Sequence, residues 1–361
     1  MEHDMYWFWL CNLKEVWNGT IKTLLQLFGT PEAIYEASEK ELCIKIGKQN
    51  IVDTIVESRS LEKIQSLWEK LAKKKIRFLH IEQQEFPEKL RAIKGCPYGI
   101  YVRGALPDAG RKAVAVVGAR NSTLYGRKLA HDISFELAAN GVDIISGMAR
   151  GIDSEGHWGA IEAGGQTYAV MGCGADICYP RENIELYERI QENGGILSDY
   201  PIGTQPVGWQ FPMRNRIISA LADRILVVEA REKSGALITV EYGLEQGKDI
   251  FAVPGRIEDA LSKGCNRLIQ EGAGLVTCAD DILNELGMER VYNSKKTKNK
   301  NIILEKDLET LYSCLSFLPK SIQMLMNETG KNSVEILRDL VKLQMMGLIE
   351  EPSKNYYSKK T

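Results

Sequence analysis

Short apolar runs ending in glycine or a charged residue recur between residues 113 and 278, and they leave little choice of architecture. They read AVAVVG from Ala113, VDIISG from Val142, TYAVMGCG from Thr167, GILSDY from Gly195, RILVVEA from Arg224, DIFAVPG from Asp249 and GLVTC from Gly274. Between the first three lie helical patterns over about Arg127–Asn140 and Glu155–Ala163. Apolar strands alternating with helices indicate a mainly parallel sheet covered on both faces, an α/β Rossmann-like fold. Such a sheet binds ligands beyond the carboxyl ends of its strands.

The flanks differ in character. Residues 1–75 read as a small helical domain: Ile21, Leu24, Leu25 and Phe28 share a helical face before Gly29, Thr30-Pro31 starts another helix, and Ser38 with Glu41 has capping-box spacing. Residues 76–112, with RFLHI and YGIYVRG, form a connecting segment that leads into the sheet domain of 113–289. The tract 290–301 is a basic linker without apolar periodicity. Residues 302–361 give three helical patterns and a closing YYSKK strand, the order of a winged helix.

Totals narrow the function classes. A length of 361 residues accommodates two or three domains. The formal net charge of −2 gives no global attraction for nucleic acid, so any such binding is local. The aromatic run Tyr6–Leu10 has an acidic flank and no small-residue cleavage site, and no apolar stretch is long enough to span a bilayer. A cytoplasmic protein without membrane association is expected. The eight cysteines include no CxxC pair, and no histidine stands near Cys173 and Cys178, so no metal site is expected and the thiols are read as reduced and mostly buried.

The chemistry lies in the strand-end turns. In the first, Gly118 lets the backbone turn closely, Arg120 is placed to fork onto a phosphate, and Tyr125 and Gly126 follow. In the second, Ser146 and the amides around Gly147 and Gly151 suit an anion nest, with Asp153 as a helix cap. The third carries Gly172 and Gly174 and continues to Arg181 and Asn183. The fourth sets Arg214-Asn215-Arg216 at a helix start, where one arginine has an acid such as Glu229 as an alternative partner. The fifth joins a strand to a helix through Ser234 and Gly235, with Thr239 and Glu241 along that helix. His157 is expected to cap or pack its helix, and His131 shows no partner.

A nucleotide cofactor is disfavoured. The first turn lacks GxGxxG, the second strand ends in Ser146-Gly147 where an acid would hold a ribose, and no Walker A sequence exists, so no cofactor is expected. From Ala113 to Cys278 the net charge is −6, yet arginines outnumber lysines eleven to four and several sit in turns, which favours bidentate phosphate contacts over diffuse attraction. Tyr125, Trp209 and Phe211 lie among them as candidates for stacking on unpaired bases.

With these residues set out, the chain resembles the DprA/Smf family of bacterial DNA-processing proteins. The resemblance rests on VVGARNSTLYG, ISGMARGIDSEGH, GCGADICYPREN, FPMRNRIIS, VVEAREKSGALIT and AVPG followed by SKGCNRLIQEGA, in family order across Val114–Ala273. The N-terminal helices look like the family's sterile-alpha-motif or helix-hairpin domain, and the final domain looks like its optional winged helix. The resemblance implies a non-enzymatic homodimer that binds and protects single-stranded DNA and delivers it to the RecA recombinase during natural transformation. By motif it makes Arg120 and Arg181 the phosphate contacts, helped by Ser146-Gly147 and Arg214-Asn215-Arg216; Arg181 stands where many members have lysine. The mixed charges of the helix Val334–Met345, with Glu335, Arg338, Asp339 and Lys342 expected on its surface, favour a docking role for the last domain over DNA reading. The competing reading is a phosphoribohydrolase acting on nucleoside monophosphates on a related Rossmann variant, of whose PGGxGTxxE turn this chain keeps Gly235, Thr239 and Glu241.

Overall fold

Helix punctuation dictates the first seventy residues. A computed structural model describes residues 1–291, 306–316 and 319–359. Helices α1 (His3–Cys11), α2 (Asn18–Phe28), α3 (Pro31–Glu36), α4 (Glu39–Ile46), α5 (Gln49–Glu57) and α6 (Leu61–Lys73) follow one another closely. Gly29 ends α2 at φ 87°, the Thr30 hydroxyl accepts from the Ala33 amide at the start of α3, and the Ser38 hydroxyl accepts from Glu41 at the start of α4. The aromatic run near the N-terminus is α1 itself, with Trp7, Phe8, Trp9 and Leu10 all buried.

The stretch that reads as a lead-in supplies two strands. β1 (Ile76–His80) and β2 (Gly99–Gly104), separated by the short α7 (Glu88–Arg91), pair antiparallel, and β2 pairs antiparallel with β6 (Gly194–Ser198). The rest of the sheet is parallel: β3 (Ala113–Val117), β4 (Asp143–Ser146), β5 (Thr167–Val170), β7 (Arg224–Val227), β8 (Asp249–Ala252) and β9 (Gly274–Leu275). Among the described residues the order is β1-β2-β6-β5-β4-β3-β7-β8-β9. The chain therefore builds outward from β3 to β6, then returns to β7 on the other side of β3. At that reversal the connections leave in opposite directions and open a crevice at the strand ends.

Strands β3 to β6 are buried along their whole length because both faces of the sheet are covered. Alternation assigns Ile100, Val102, Val170 and Ile145 to one apolar cluster, and Tyr101 and Ala169 to another that continues into α1 to α6. The parallel crossovers are α8 (Leu124–Ala139), α9 (Ile152–Glu162), α10 (Ile184–Glu192), α11 (Gln210–Leu221), α12 (Gly235–Glu245) and α13 (Lys263–Gln270), with α14 (Ala279–Glu285) after β9. Helix α9 begins earlier than periodicity suggests, because Gly151 at φ 75° turns the chain directly into it and Asp153 ties down the preceding amides. All eight cysteines are free; only Cys173 and Cys265 are fully buried, Cys278 is exposed and the others lie between, which corrects the expectation of mostly buried thiols.

The chain divides into two compact units, Met1–Ser122 with Ala130–Val291, and Thr123–Leu129 with the C-terminal part. The linker expected at 290–301 lies almost wholly outside the described residues. The second unit contains α15 (Lys306–Cys314), β10 (Lys320–Ser321), α16 (Ile322–Thr329), α17 (Ser333–Met345), β11 (Ile349–Ser353) and β12 (Tyr356–Lys359), with an antiparallel sheet in the order β10-β12-β11. Its core holds Leu308, Leu311, Leu325, Ile336, Leu340, Leu343, Ile349 and Tyr357. Asp339 is buried and paired with Lys331 and Arg338, so it is not on the surface of α17 as expected. Among the described residues no helix is long and apolar enough to cross a membrane.

Close packing of α8 on α9 requires Gly159, where a Cβ would fall on the carbonyl oxygen of His131. Gly159→Ala is expected to destabilise the protein by about 1–3 kcal/mol through overpacking. Gly19→Ala, where a Cβ meets nothing within 4 Å, is expected to shift stability by less than about 0.5 kcal/mol. Urea unfolding midpoints compare the two, and equal midpoints would refute the packing argument.

Candidate nucleic-acid interface

Two adjoining cavities lie at the carboxyl edge of the parallel strands. The first, of about 390 Å³, sits at the β3/β7 reversal and is lined by the turn Val117–Asn121, by Asp153 and Arg214, and by Arg231, Lys233, Ser234 and Gly235 at the start of α12. The second, of about 600 Å³, is lined by Gly147, Arg150, Tyr179, Arg181, Glu182, Gln205 and Pro206 among others. Arg120, Asn121, Ala149, Phe211 and Arg214 line both. The exposed Arg120 guanidinium stands 5.6 Å from the centre of the Phe211 ring, which in turn lies 5.2 Å from Tyr179. A cation over an aromatic face thus forms the shared wall.

Beneath that wall is a second cation of different character. Arg214 is 4% exposed, and its guanidinium donates to the Gly147 carbonyl at 2.9 Å, to the Val170 carbonyl and to the Asn215 side chain. It therefore bridges the ends of β4 and β5. The buried Asp153 carboxylate accepts from the amides of Gly147 and Ala149, so the nest anticipated at Gly147 receives a carboxylate of the chain itself. Burial raises the Asp153 pKa, and the Arg214 charge opposes that rise. Burial lowers Arg214 to about 10, with Asp153 acting in the other direction. The sequence places Arg214-Asn215-Arg216 at a helix start, but α11 begins at Gln210, so these residues face the sheet from its second turn.

The remaining predicted residues separate by exposure. Arg216, also 4% exposed, pairs with Asp199 at 2.6 Å and donates to the Gly95 and Met213 carbonyls; the acid is Asp199 and not Glu229. Asn215 donates to the Gly235 carbonyl. Ser146 donates to Val116 at 2.6 Å, joining β4 to β3. Asn183 donates to the Met148 carbonyl. Gly118, Gly151, Gly172 and Gly174 permit close approaches, with a Cβ at Gly118 meeting Ile152 at 2.6 Å and one at Gly172 meeting Phe211 at 2.8 Å. Ser234 caps α12 by accepting from Ala236. Tyr125 is exposed on the first turn of α8. Arg120 and Arg181 present exposed guanidinium groups, and Arg150 is exposed but paired with Glu182.

Sequence reasoning passed over Arg231, Lys233 and Asn121 as site residues, although the first two stand in the same turn as Ser234 and Gly235. That turn's cations were the available signal. Buried His157 bonds the Thr167 hydroxyl at 2.6 Å, in keeping with a packing role. His131 does have partners, Asp132 and Glu162, the latter on α9. His3, His80 and Glu82 bring possible metal-ligand atoms within 4.8 Å of one another, but the same groups form a hydrogen-bond network with Trp7, Glu32 and Asp4.

Residues 77–287 match the family model for DNA recombination-mediator protein A. The chain is 40% identical over 213 residues to the DNA processing protein DprA of Bacillus subtilis, covering 58% of this chain and 71% of that protein. It is 43% identical over 200 residues to DprA of Streptococcus pneumoniae, covering 55% and 71%. The crystal structure of DNA processing protein A from Streptococcus pneumoniae aligns with a TM-score of 0.69 at 34% identity, over 80% of this chain and 99% of that one. A structure of the Helicobacter pylori protein, described for its single-stranded DNA binding mode, aligns with a TM-score of 0.52 at 28% identity, over 59% and 97%.

Two outcomes test the buried layer. Arg214→Ala, which leaves Asp153 without its compensating charge, is expected to lower stability by about 3–5 kcal/mol in denaturant titration. Burial, reinforced by Arg214, lowers the His157 pKa from 6.5 to about 3. The unfolded chain therefore takes up a proton near pH 6.5 that the folded one refuses until about 3. The stability tied to neutral His157 is complete above pH 6.5 and falls by up to about 1.4 kcal/mol per pH unit as the pH drops through that window. His157→Gln should make the plot of unfolding free energy against pH shallower there by one proton; parallel plots would show that His157 is not sealed from protons.

Proposed function

The chain belongs to the DNA recombination-mediator protein A family, and from that premise we propose that it binds single-stranded DNA along the carboxyl edge of its sheet, without sequence preference and without catalysing a reaction on it. The observation that carries this reading is the exposed Arg120 over Phe211, shared by two adjoining cavities, with Arg181 in the second and Arg231 and Lys233 in the first. An arginine fork holds phosphate oxygens of any nucleotide, and Phe211 and Tyr179 offer ring faces to any base. Backbone and stacking contacts of this kind do not discriminate sequence.

In this reading the predicted residues divide by layer. Arg120 and Arg181 touch phosphate. Gly118, Ser146, Gly147, Gly151, Gly172, Gly174 and Asn183 shape the turns, and Arg214, Asn215 and Arg216 hold them from below. Ser234 and Gly235 open α12 toward the first cavity. The bound strand is protected and passed by a homodimer to the RecA recombinase during DNA processing in natural transformation. In this reading the chain comprises an N-terminal helical domain, a Rossmann-like DNA-binding domain and a C-terminal winged helix. Helix α17 exposes Val334, Leu337, Val341 and Met345 at helical spacing, which suits protein docking better than groove reading.

The phosphoribohydrolase alternative fits the site less well. Of the residues kept from its turn, Thr239 lines the first cavity, whereas Glu241 is exposed and does not. A carboxylate outside the cavity cannot act on a base held within it.

Fluorescence anisotropy with labelled oligothymidine tests the proposal. Arg120→Ala and Arg181→Ala are each expected to weaken binding roughly tenfold, as for loss of a charged hydrogen bond. Each should also reduce the slope of log affinity against log salt by about 0.7 for every phosphate no longer neutralised. Release of free base from nucleoside monophosphates by a protein that does not bind oligothymidine would overturn the reading.

A further inference from the structure

Trp17 and Trp209 occupy positions that their own helices do not explain. Each is the N-cap residue of its helix, α2 and α11 respectively, and neither helix has a side-chain cap hydrogen bond there. Serine, threonine, aspartate or asparagine is the residue that stabilises such a position, so an indole at both serves some other purpose. The rings lie 5.1 Å apart at 87°, with Tyr200 at 6.4 Å from Trp17 and 6.2 Å from Trp209. Trp17 is 51% exposed and Trp209 49%. By contrast Trp7 and Trp9 are buried, and Trp68 and Trp158 are half-buried.

Trp209 lies in the chain between residues that line the second cavity. Gln205 and Pro206 line that cavity, the chain then runs outward through Val207 and Gly208 to Trp209, and it returns to the cavity wall at Phe211. Trp17, Trp209 and the cavity all belong to the same compact unit. We propose that Trp17 and Trp209 form a stacking platform for one or two bases of the same DNA strand, so that the N-terminal helices extend the binding track beyond the arginine-bearing turns. This inference rests on the single-strand reading above. Half-exposed edge-to-face rings leave face area for an unpaired base, which stacks without regard to sequence.

The test compares short and long oligothymidines, of about 6 and about 20 nucleotides, on the full chain with Trp17→Ala, Trp209→Ala, the double variant and Trp209→Phe. The double variant is expected to lose roughly tenfold or more in affinity for the long oligonucleotide while losing little for the short one. Trp209→Phe should retain most of the wild-type affinity, and intrinsic fluorescence quenching by the long oligonucleotide should fall sharply in the double variant. Equal affinity of wild type and double variant for both lengths, with Arg120→Ala still weakening binding, overturns the platform and leaves the main reading intact. If Arg120→Ala has no effect either, the single-strand reading itself has failed. A shift from dimer to monomer in sedimentation, with affinity per protomer unchanged, identifies the pair as a protein contact and also overturns the platform.

Discussion

The site depends on one buried guanidinium. Arg214 bonds to the carbonyls that end β4 and β5, and its charge compensates Asp153, which in turn holds the amides opening α9. Burying an arginine has a large desolvation cost, visible in its lowered pKa, and only a dense set of acceptors offsets it. The result is a hydrogen-bonded layer below the wall that Arg120 and Phe211 form. Gly147 follows from the same constraint, because a Cβ there would run into the Arg214 guanidinium. Arg214 thus ties together the ends of β4 and β5, and the exposed Arg120 stands beside them in the turn after β3.

Much of this was legible in the residue string, for identifiable reasons. Parallel strands covered on both faces are continuous apolar runs, so each strand from β3 to β9 stands inside a run visible in the sequence or, for β6, begins one residue before it. Local caps at Gly29, Thr30 and Ser38 involve neighbours within a few residues and were equally readable. What escaped was non-local. The union of β1 and β2 with β6 joins segments about a hundred residues apart, and nothing in YGIYVRG names its partner. His131 looked isolated because Glu162 lies on the next helix. Arg216 looked available because Asp199 belongs to the loop after β6.

The arginine-rich turns show the same limit at the level of function. A guanidinium fork suits a phosphate and a pair of carbonyls equally well, so residue type alone could not separate Arg120 from Arg214. Exposure separates them: one reaches solvent over Phe211, the other is enclosed beneath it. The net charge of −6 over Ala113–Cys278 is compatible with a polyanionic partner for a related reason. Exposed charges farther apart than about 8–10 Å are largely screened at physiological salt, so acids elsewhere on the surface contribute little at the edge where the cations gather.

The two margins of the large sheet bear on how copies of the molecule can meet. β9 is two residues long, and the β6 margin is sealed by β2 and then by β1, against which α1 and α6 pack. Neither margin offers a long bare ladder of amides and carbonyls to a neighbouring copy. A neighbouring copy adding a strand at β9 would therefore gain at most two residues of ladder.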